Sequence, residues 1–248
     1  MSADGPIGRI ILARPEKRNA LDRVTAEELA QALFALSESP VSVVALEAED
    51  PDFCAGADLE ALNEMLDAPR QDHIEDAKAL GHVFHTIRRM EKPVVALVKG
   101  RAFGGGAGLA SACDIVLARE DARFAYPEVT IGFVPAMVMT MLRRAVGEKR
   151  AFDLVSTGRV LTAKDAEGIG LVSRVFSDTE FDQASAAVLD TLAAASVSAL
   201  AATKTLFYKL DNMGFLDGIS AGIVANADAR STTDFREGVK RFTGRRKE

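Results

Sequence analysis

The chain has 248 residues, enough for one domain with a full core or one domain plus an appendage. A net charge of −6 argues against a dedicated nucleic-acid binder, and 48% hydrophobic with 27% charged residues exclude a disordered chain. The opening Met1-Ser2-Ala3-Asp4 has neither a basic nor an apolar leader region, no stretch approaches the ~18 apolar residues of a membrane span, and two cysteines imply no disulfide framework. The expectation is a cytoplasmic protein with neither membrane nor nucleic-acid partners.

The elements follow in order. Ile7–Ala13 is short, β-branched and closed by Pro15, which predicts a strand. Thr25 with Glu28 fits a capping box, and Leu29, Leu33 and Leu36 follow at helical spacing until Pro40. Val41–Leu46, Pro93–Val98, Cys113–Ala118 and Leu171–Phe176 read as further strands. Strands alternating with helical stretches favour a parallel α/β architecture. Beyond Phe176 no strand is evident. Ser185–Ala195, Ala199–Leu210 and Phe215–Arg230 are rich in helix formers. Asp234 with Glu237 suggests another cap, and the tail from Lys240 to Glu248 is basic.

Several motifs fail on context. Gly218-Ile219-Ser220-Ala221-Gly222 matches a serine-hydrolase elbow, but its flanks are helical and the last histidine, His85, precedes it. Gly104-Gly105-Gly106-Ala107-Gly108 meets the dinucleotide fingerprint in neither register, because Leu109 and Ser111 stand where a small third residue belongs. His82 and His85 lack a third ligand, so no metal site is expected.

Three segments remain: Phe53-Cys54-Ala55-Gly56-Ala57-Asp58-Leu59, the run from Pro93 through Gly100-Arg101-Ala102-Phe103 and the glycines to Asp114, and Phe124-Ala125-Tyr126-Pro127-Glu128-Val129-Thr130-Ile131-Gly132. The first two look like strand ends turning through glycine into helix starts, which leaves backbone N–H groups unpaired. Two such turns facing each other can bind one oxyanion. The third supplies a carboxylate, Glu128, on an irregular turn beside an apolar cleft, where proton transfer is favoured.

These motifs, together with Arg14-Pro15, Asn19-Ala20-Leu21 and Arg236-Glu237-Gly238, resemble the crotonase superfamily, the enoyl-CoA hydratase/isomerase family, over nearly the whole chain. The resemblance implies an α/β fold, a crotonase-type spiral of ββα units with a C-terminal helical trimerisation segment. Residues 1–190 form the core and 191–248 the helical segment. It implies a homotrimer or dimer of trimers, acyl-CoA thioester substrates, and no cofactor, with coenzyme A as part of the substrate. The thioester carbonyl then lies between the N–H groups of Ala57 and Gly105, with Glu128 as the acid/base. Arg18, Ala55, Leu59, Phe242 and Arg245 match coenzyme A contact positions, and Gly108, in the glycine run, and Tyr126, at the acyl pocket, are candidates for contact with the substrate.

The pattern breaks at one place. Family hydratases carry a first glutamate where this sequence has Gly108. Hydration of a 2-enoyl-CoA is the leading expectation, with 3,2-enoyl-CoA isomerisation by Glu128 alone as the alternative. A serine-type thioesterase acting through Ser220 and a catalytically retired homologue are further alternatives. Glu60, Glu64 and Asp67 are the nearby carboxylates that could supply a second acid.

Overall fold

Strand β1 (Ser2–Asp4) pairs antiparallel with β2 (Ile7–Leu12), and the helix α1 (Arg23–Glu38) follows. Asp22, rather than Thr25, caps α1: its Oδ1 accepts the Thr25 N–H at 2.7 Å. Leu29, Leu33 and Leu36 lie buried on one face of the helix, as their spacing requires. Next come β3 (Val43–Ala48), α2 (Leu59–Glu64), α3 (Arg70–Arg89), β4 (Val94–Val98), β5 (Arg101–Phe103) and α4 (Gly105–Ala112). The chain continues through β6 (Ile115–Arg119), β7 (Arg123–Ala125), α5 (Val138–Val146), α6 (Glu148–Thr157), β8 (Leu161–Thr162), α7 (Ala163–Gly168) and β9 (Arg174–Phe176). Four helices close it: α8 (Phe181–Ala193), α9 (Val197–Lys209), α10 (Phe215–Ser231) and α11 (Thr233–Gly244). This computed structural model describes residues 1–49 and 51–244.

The larger sheet has the order β1-β2-β3-β4-β6-β9, parallel from β2 onwards. The smaller has the order β5-β7-β8. Isolated parallel bridges join Leu21 to Ala57 and Cys54 to Ala102. Each turn of the chain thus gives one extended segment to the large sheet, a second to the small sheet or its bridges, and then a helix. This is the ββα spiral. The short strands β5, β7 and β8 carry too few residues for alternation to reveal them in the sequence.

Strand alternation sorts the large sheet into two faces. Val44, Leu46, Val94, Ala96, Val98 and Val116 join the main core beneath α1 and α3. Val43, Ala45, Val95, Leu97 and Leu117 meet Phe181 and Leu189 of α8 on the other face. Helix α8 therefore packs on the sheet, and the expected division at 190/191 falls in its last turn. Beyond α8 the character changes. Lys204 is the one buried residue of α9, and α10 and α11 have none. The cap of α11 is not Asp234, whose carboxylate accepts from Ser196 and Ser198; the Thr232 hydroxyl accepts the Phe235 N–H instead. Among the described residues no single helix is long and apolar enough to cross a membrane.

Candidate active site

The cleft is built from the two bridges. In the Leu21–Ala57 bridge, Leu21 donates to the Gly56 carbonyl at 2.7 Å and accepts from the Asp58 N–H at 2.9 Å. In a parallel pair this pattern turns the N–H of the intervening residue, Ala57, away from Leu21. Gly56 has φ +103°, and a Cβ there would lie 2.9 Å from the Phe103 carbonyl oxygen and 3.6 Å from the Gly105 nitrogen. Only glycine lets the two loops approach this closely. Gly105 is the first residue of α4, so its N–H has no intrahelical partner. Leu80 and Leu21 flank it at 3.5 and 3.8 Å from an ideal Cβ. Ala57 and Gly105 thus present two backbone donors from adjacent turns, one at a helix N-terminus, against an apolar wall.

Glu128 opens the short 3-10 turn Glu128–Ile131 and is half-buried. Its Oε1 lies 3.2 Å from where a Gly104 Cβ would be, which sets the carboxyl against the start of α4. Its Oε2 is buried without a hydrogen-bond partner. Desolvation raises its pKa above the usual carboxylate range. A buried, unpartnered carboxyl oxygen set against the turn that opens α4 is a group placed for proton transfer.

Residues the sequence reading passed over hold these loops. Asn19, buried with φ +55°, donates to the carbonyls of Glu49 and Asp52 at 2.8 and 2.7 Å and accepts from Arg14 N–H. Arg14 pairs with Asp22 and Asp58 at 3.0 and 3.1 Å. Asp58 also caps α2 through Glu60 and Ala61, which fixes the residue after Ala57. Asp52, 4% exposed at its side chain, is gripped by the Arg101 guanidinium at 2.6 and 2.8 Å, tying this loop to β5. The Asn-Ala-Leu and Gly-Ala-Asp motifs mark these residues in the sequence, but a motif does not show that Arg14, Asn19 and Asp58 hold the loops.

Arg18, Ala55 and Leu59 gather around the Ala57 loop. The Ala55 N–H donates to the Arg18 carbonyl at 3.0 Å, Arg18 is exposed, and Leu59 starts α2 with its side chain largely in solvent. Phe242 is exposed on α11, which packs against α9 and α10. Arg245 lies outside the described residues.

Two candidates are corrected. Tyr126 does not line the cleft: it is fully buried, and its hydroxyl meets the Ser111 hydroxyl at 2.9 Å, which donates to Ala107 O. It anchors the Pro127-Glu128 turn onto α4. Gly108 is not open to substrate either. It is buried, and a Cβ there would lie 2.3 Å from Val138 Cγ1 and 3.1 Å from Phe84 Cζ. The space that a side chain at 108 needs is filled by α5 and α3. Of the nearby carboxylates, Glu60 pairs with Lys17, and Glu64 and Asp67 are exposed.

Other polar and thiol groups of these segments serve the fold. Asp114 accepts from Val94 N–H at 2.6 Å, Lys204 Nζ at 2.7 Å and the Tyr208 hydroxyl at 2.6 Å. Ser220 is exposed on α10 and donates to the Leu216 carbonyl within its own helix, so the nucleophile elbow is ruled out. Burial pushes the Cys54 thiol up to about 12 and Cys113 upward as well, so neither is a nucleophile at neutral pH.

A spiral of ββα units in which the turns carrying Ala57, Gly105 and a half-buried Glu128 come together defines an α/β protein with a candidate active site. Comparison with known proteins gives it a family. A family model described as enoyl-CoA hydratase/isomerase matches residues 3–248. A Thermus thermophilus protein named "Putative enoyl-CoA hydratase" is 40% identical over 98% of this chain and 96% of its own length. The mitochondrial enoyl-CoA hydratase of Pongo abelii is 35% identical over 97% of this chain and 82% of its own. The crystal structure of an enoyl-CoA hydratase from Mycobacterium smegmatis superimposes with a TM-score of 0.93 at 31% identity, covering 98% of this chain and 94% of that one. The chain belongs to the enoyl-CoA hydratase/isomerase family and has the crotonase fold.

Proposed function

We propose that the cleft binds an acyl-CoA thioester and reversibly adds water to a 2-enoyl-CoA. The observation that carries this is the buried, unpartnered Glu128 carboxyl set against the turn that presents Gly105 N–H. The thioester oxygen accepts from Ala57 and Gly105. Charge then moves onto that oxygen as hydroxide reaches C3, and each such donor is typically worth a factor of ~10²–10³ in rate. Glu128 takes a proton from the attacking water. The enolate collapses as Glu128 returns that proton to C2, so one carboxyl serves both half-steps and the atoms balance. A raised pKa suits a group that must hold the proton between the two.

Coenzyme A enters as part of the substrate, beside Arg18, Ala55 and Leu59, and no metal or prosthetic group is needed. The exposed Phe215, Leu216, Ile219 and Ile223 of α10 fit burial in a homotrimer or dimer of trimers, which brings Phe242 towards coenzyme A. A cytoplasmic location fits this chemistry.

Gly108 favours a second reading. With Val138 and Phe84 filling that side, one base shifts a proton from C2 to C4 of a 3-enoyl-CoA, through the thioester enolate and without any water. Offering 2-enoyl- and 3-enoyl-CoA separately to the wild type and Glu128→Gln decides between them. Hydration gives a 3-hydroxyacyl-CoA from the first substrate, and isomerisation gives the 2-enoyl product from the second. Full turnover of both by Glu128→Gln refutes either reading.

A further inference from the structure

A second concave site lies away from the thioester cleft. The C-terminal turn of α3, the helix α5 and the end of α9 enclose a cavity of about 740 Å³, within the range that takes a small organic ligand. Ala57, Gly105 and Glu128 are not among its lining residues. Its walls carry Arg88, Arg89 and Lys209, an unusual concentration for a chain of net charge −6.

The pairing of these cations separates a binding site from a structural cluster. Lys204, at the floor, is satisfied: it donates to Ile87 O, Lys92 O and Asp114. Arg144 is satisfied by Asp211 and Thr140 O. Arg88, Arg89 and Lys209 make no ion pair and no side-chain hydrogen bond among the described residues. Arg88 is also half-buried, and its guanidinium is stacked 4.2 Å from the Tyr208 ring centroid. That ring is fixed in turn, because its hydroxyl donates to Asp114 at 2.6 Å. A half-buried guanidinium held in place with its donor fork uncommitted is preorganised for a planar or tetrahedral anion. Glu91 is the one lining acid outside the Arg144 pair, so the walls keep a positive excess. The Tyr208 ring, Met141 and Met213 add an apolar side.

We propose that this cavity is a second binding site, for a small organic phosphate. The anion sits on Arg88 and Arg89, with Lys209 at the rim, and the apolar body lies against Tyr208 and the methionines. Phenyl phosphate is the probe. It is titrated calorimetrically into the full-length wild type, Arg88→Ala/Arg89→Ala, Lys209→Ala and Arg18→Ala, with inorganic phosphate as a parallel titrant. Saturable binding is expected, weakened at least about tenfold in the double variant and about two- to fivefold in Lys209→Ala. Arg18→Ala, at the proposed coenzyme A end of the thioester cleft, is expected to bind as wild type does. No saturable binding to the wild type overturns the proposal, as does weakening that follows Arg18 instead. Inorganic phosphate binding as tightly as phenyl phosphate overturns the organic class. Lys209 is exposed, so its variant keeps the test valid should the double variant fold poorly.

Discussion

The carboxyl of Glu128 rests on Gly104: its Oε1 is 3.2 Å and its carboxyl carbon 3.5 Å from where a Gly104 Cβ would stand. Gly104 also has φ +50° as the residue before α4. One position thereby both turns the chain into the helix and leaves room for the acid. Gly104→Ala meets the carboxyl and a strained backbone together. A fall in kcat of more than about tenfold is expected, following the ~10²-fold sensitivity of catalysis to ångström-scale misplacement, with KM for the acyl-CoA changed much less. Steady-state kinetics test this. An unchanged kcat would show that contact with Gly104 does not position the acid.

The unpartnered Oε2 of Glu128 has a consequence for stability. Burial raises its pKa, so the folded chain holds this proton at pH values where the unfolded chain has released it. Stability is then lost as pH rises from the unfolded value through the raised folded value, and above that window the buried charge is a standing cost. Glu128→Gln removes the charge. Its melting temperature is expected to exceed that of the wild type at pH 8, with a smaller difference at pH 5. Thermal melts at the two pH values check the sign, and an equal shift at both would show that ionisation of Glu128 is not the cause.

Much of this arrangement was legible in the residues, and the limits are physical. The long strands β2, β3, β4 and β6 and the helix α1 announce themselves by β-branching and spacing. Their ends drift by up to two residues, as at β3, where Val41 and Ser42 precede the ladder. The small sheet escapes because three residues or fewer per strand leave no period to count. Ala57, Gly105 and Glu128 come from motif resemblance, and the structure puts their loops in contact. The role of Tyr126 could not be read from its neighbours: whether an aromatic two residues from an acid faces a cleft or the core depends on Ser111, fifteen residues earlier. The filling of Gly108 by Val138 was equally hidden, since it depends on how α5 crosses α4.

That crossing has a measurable cost. A methyl group at 108 has no free volume, with Val138 Cγ1 at 2.3 Å and Phe84 at 3.1 Å. Gly108→Ala is expected to destabilise the fold by roughly 1–3 kcal/mol through overpacking, despite the gain in helix propensity. Val138→Ala in the same chain should recover part of that loss, a coupling that independent sites do not show. For the same reason Gly108→Glu alone does not install a second catalytic acid, because the side chain has nowhere to go unless Val138 is cut back. Denaturant unfolding of the two single variants and the double variant measures the coupling. Additive losses would place α5 further from α4 than the structure does.

The docking of α9 rests on one ion pair. Lys204 is the helix's buried residue, and it spans Ile87 O, Lys92 O and Asp114 at 2.7–2.8 Å with its side chain 6% exposed. Desolvation lowers the Lys204 pKa while Asp114 opposes that shift, as expected for a buried cation kept charged by its partner. The pair joins α9 to the C-terminal end of α3 and the stretch before β6, and Tyr208 Oη reinforces it from one turn along the helix. Lys204→Ala leaves the half-buried Asp114 against Val94 N–H and Tyr208 without its ion-pair partner, and a loss of up to about 3 kcal/mol is expected. Lys204→Met fills the volume but still strands the carboxylate, so it should recover less than half of that loss. Asp114→Asn in the Lys204→Met chain removes the stranded charge and should recover more. Urea unfolding of the three variants, with limited proteolysis of the α9–α11 segment as the second measurement, decides the matter. If Lys204→Met alone were as stable as the wild type, the ion pair would not be what holds this segment to the core.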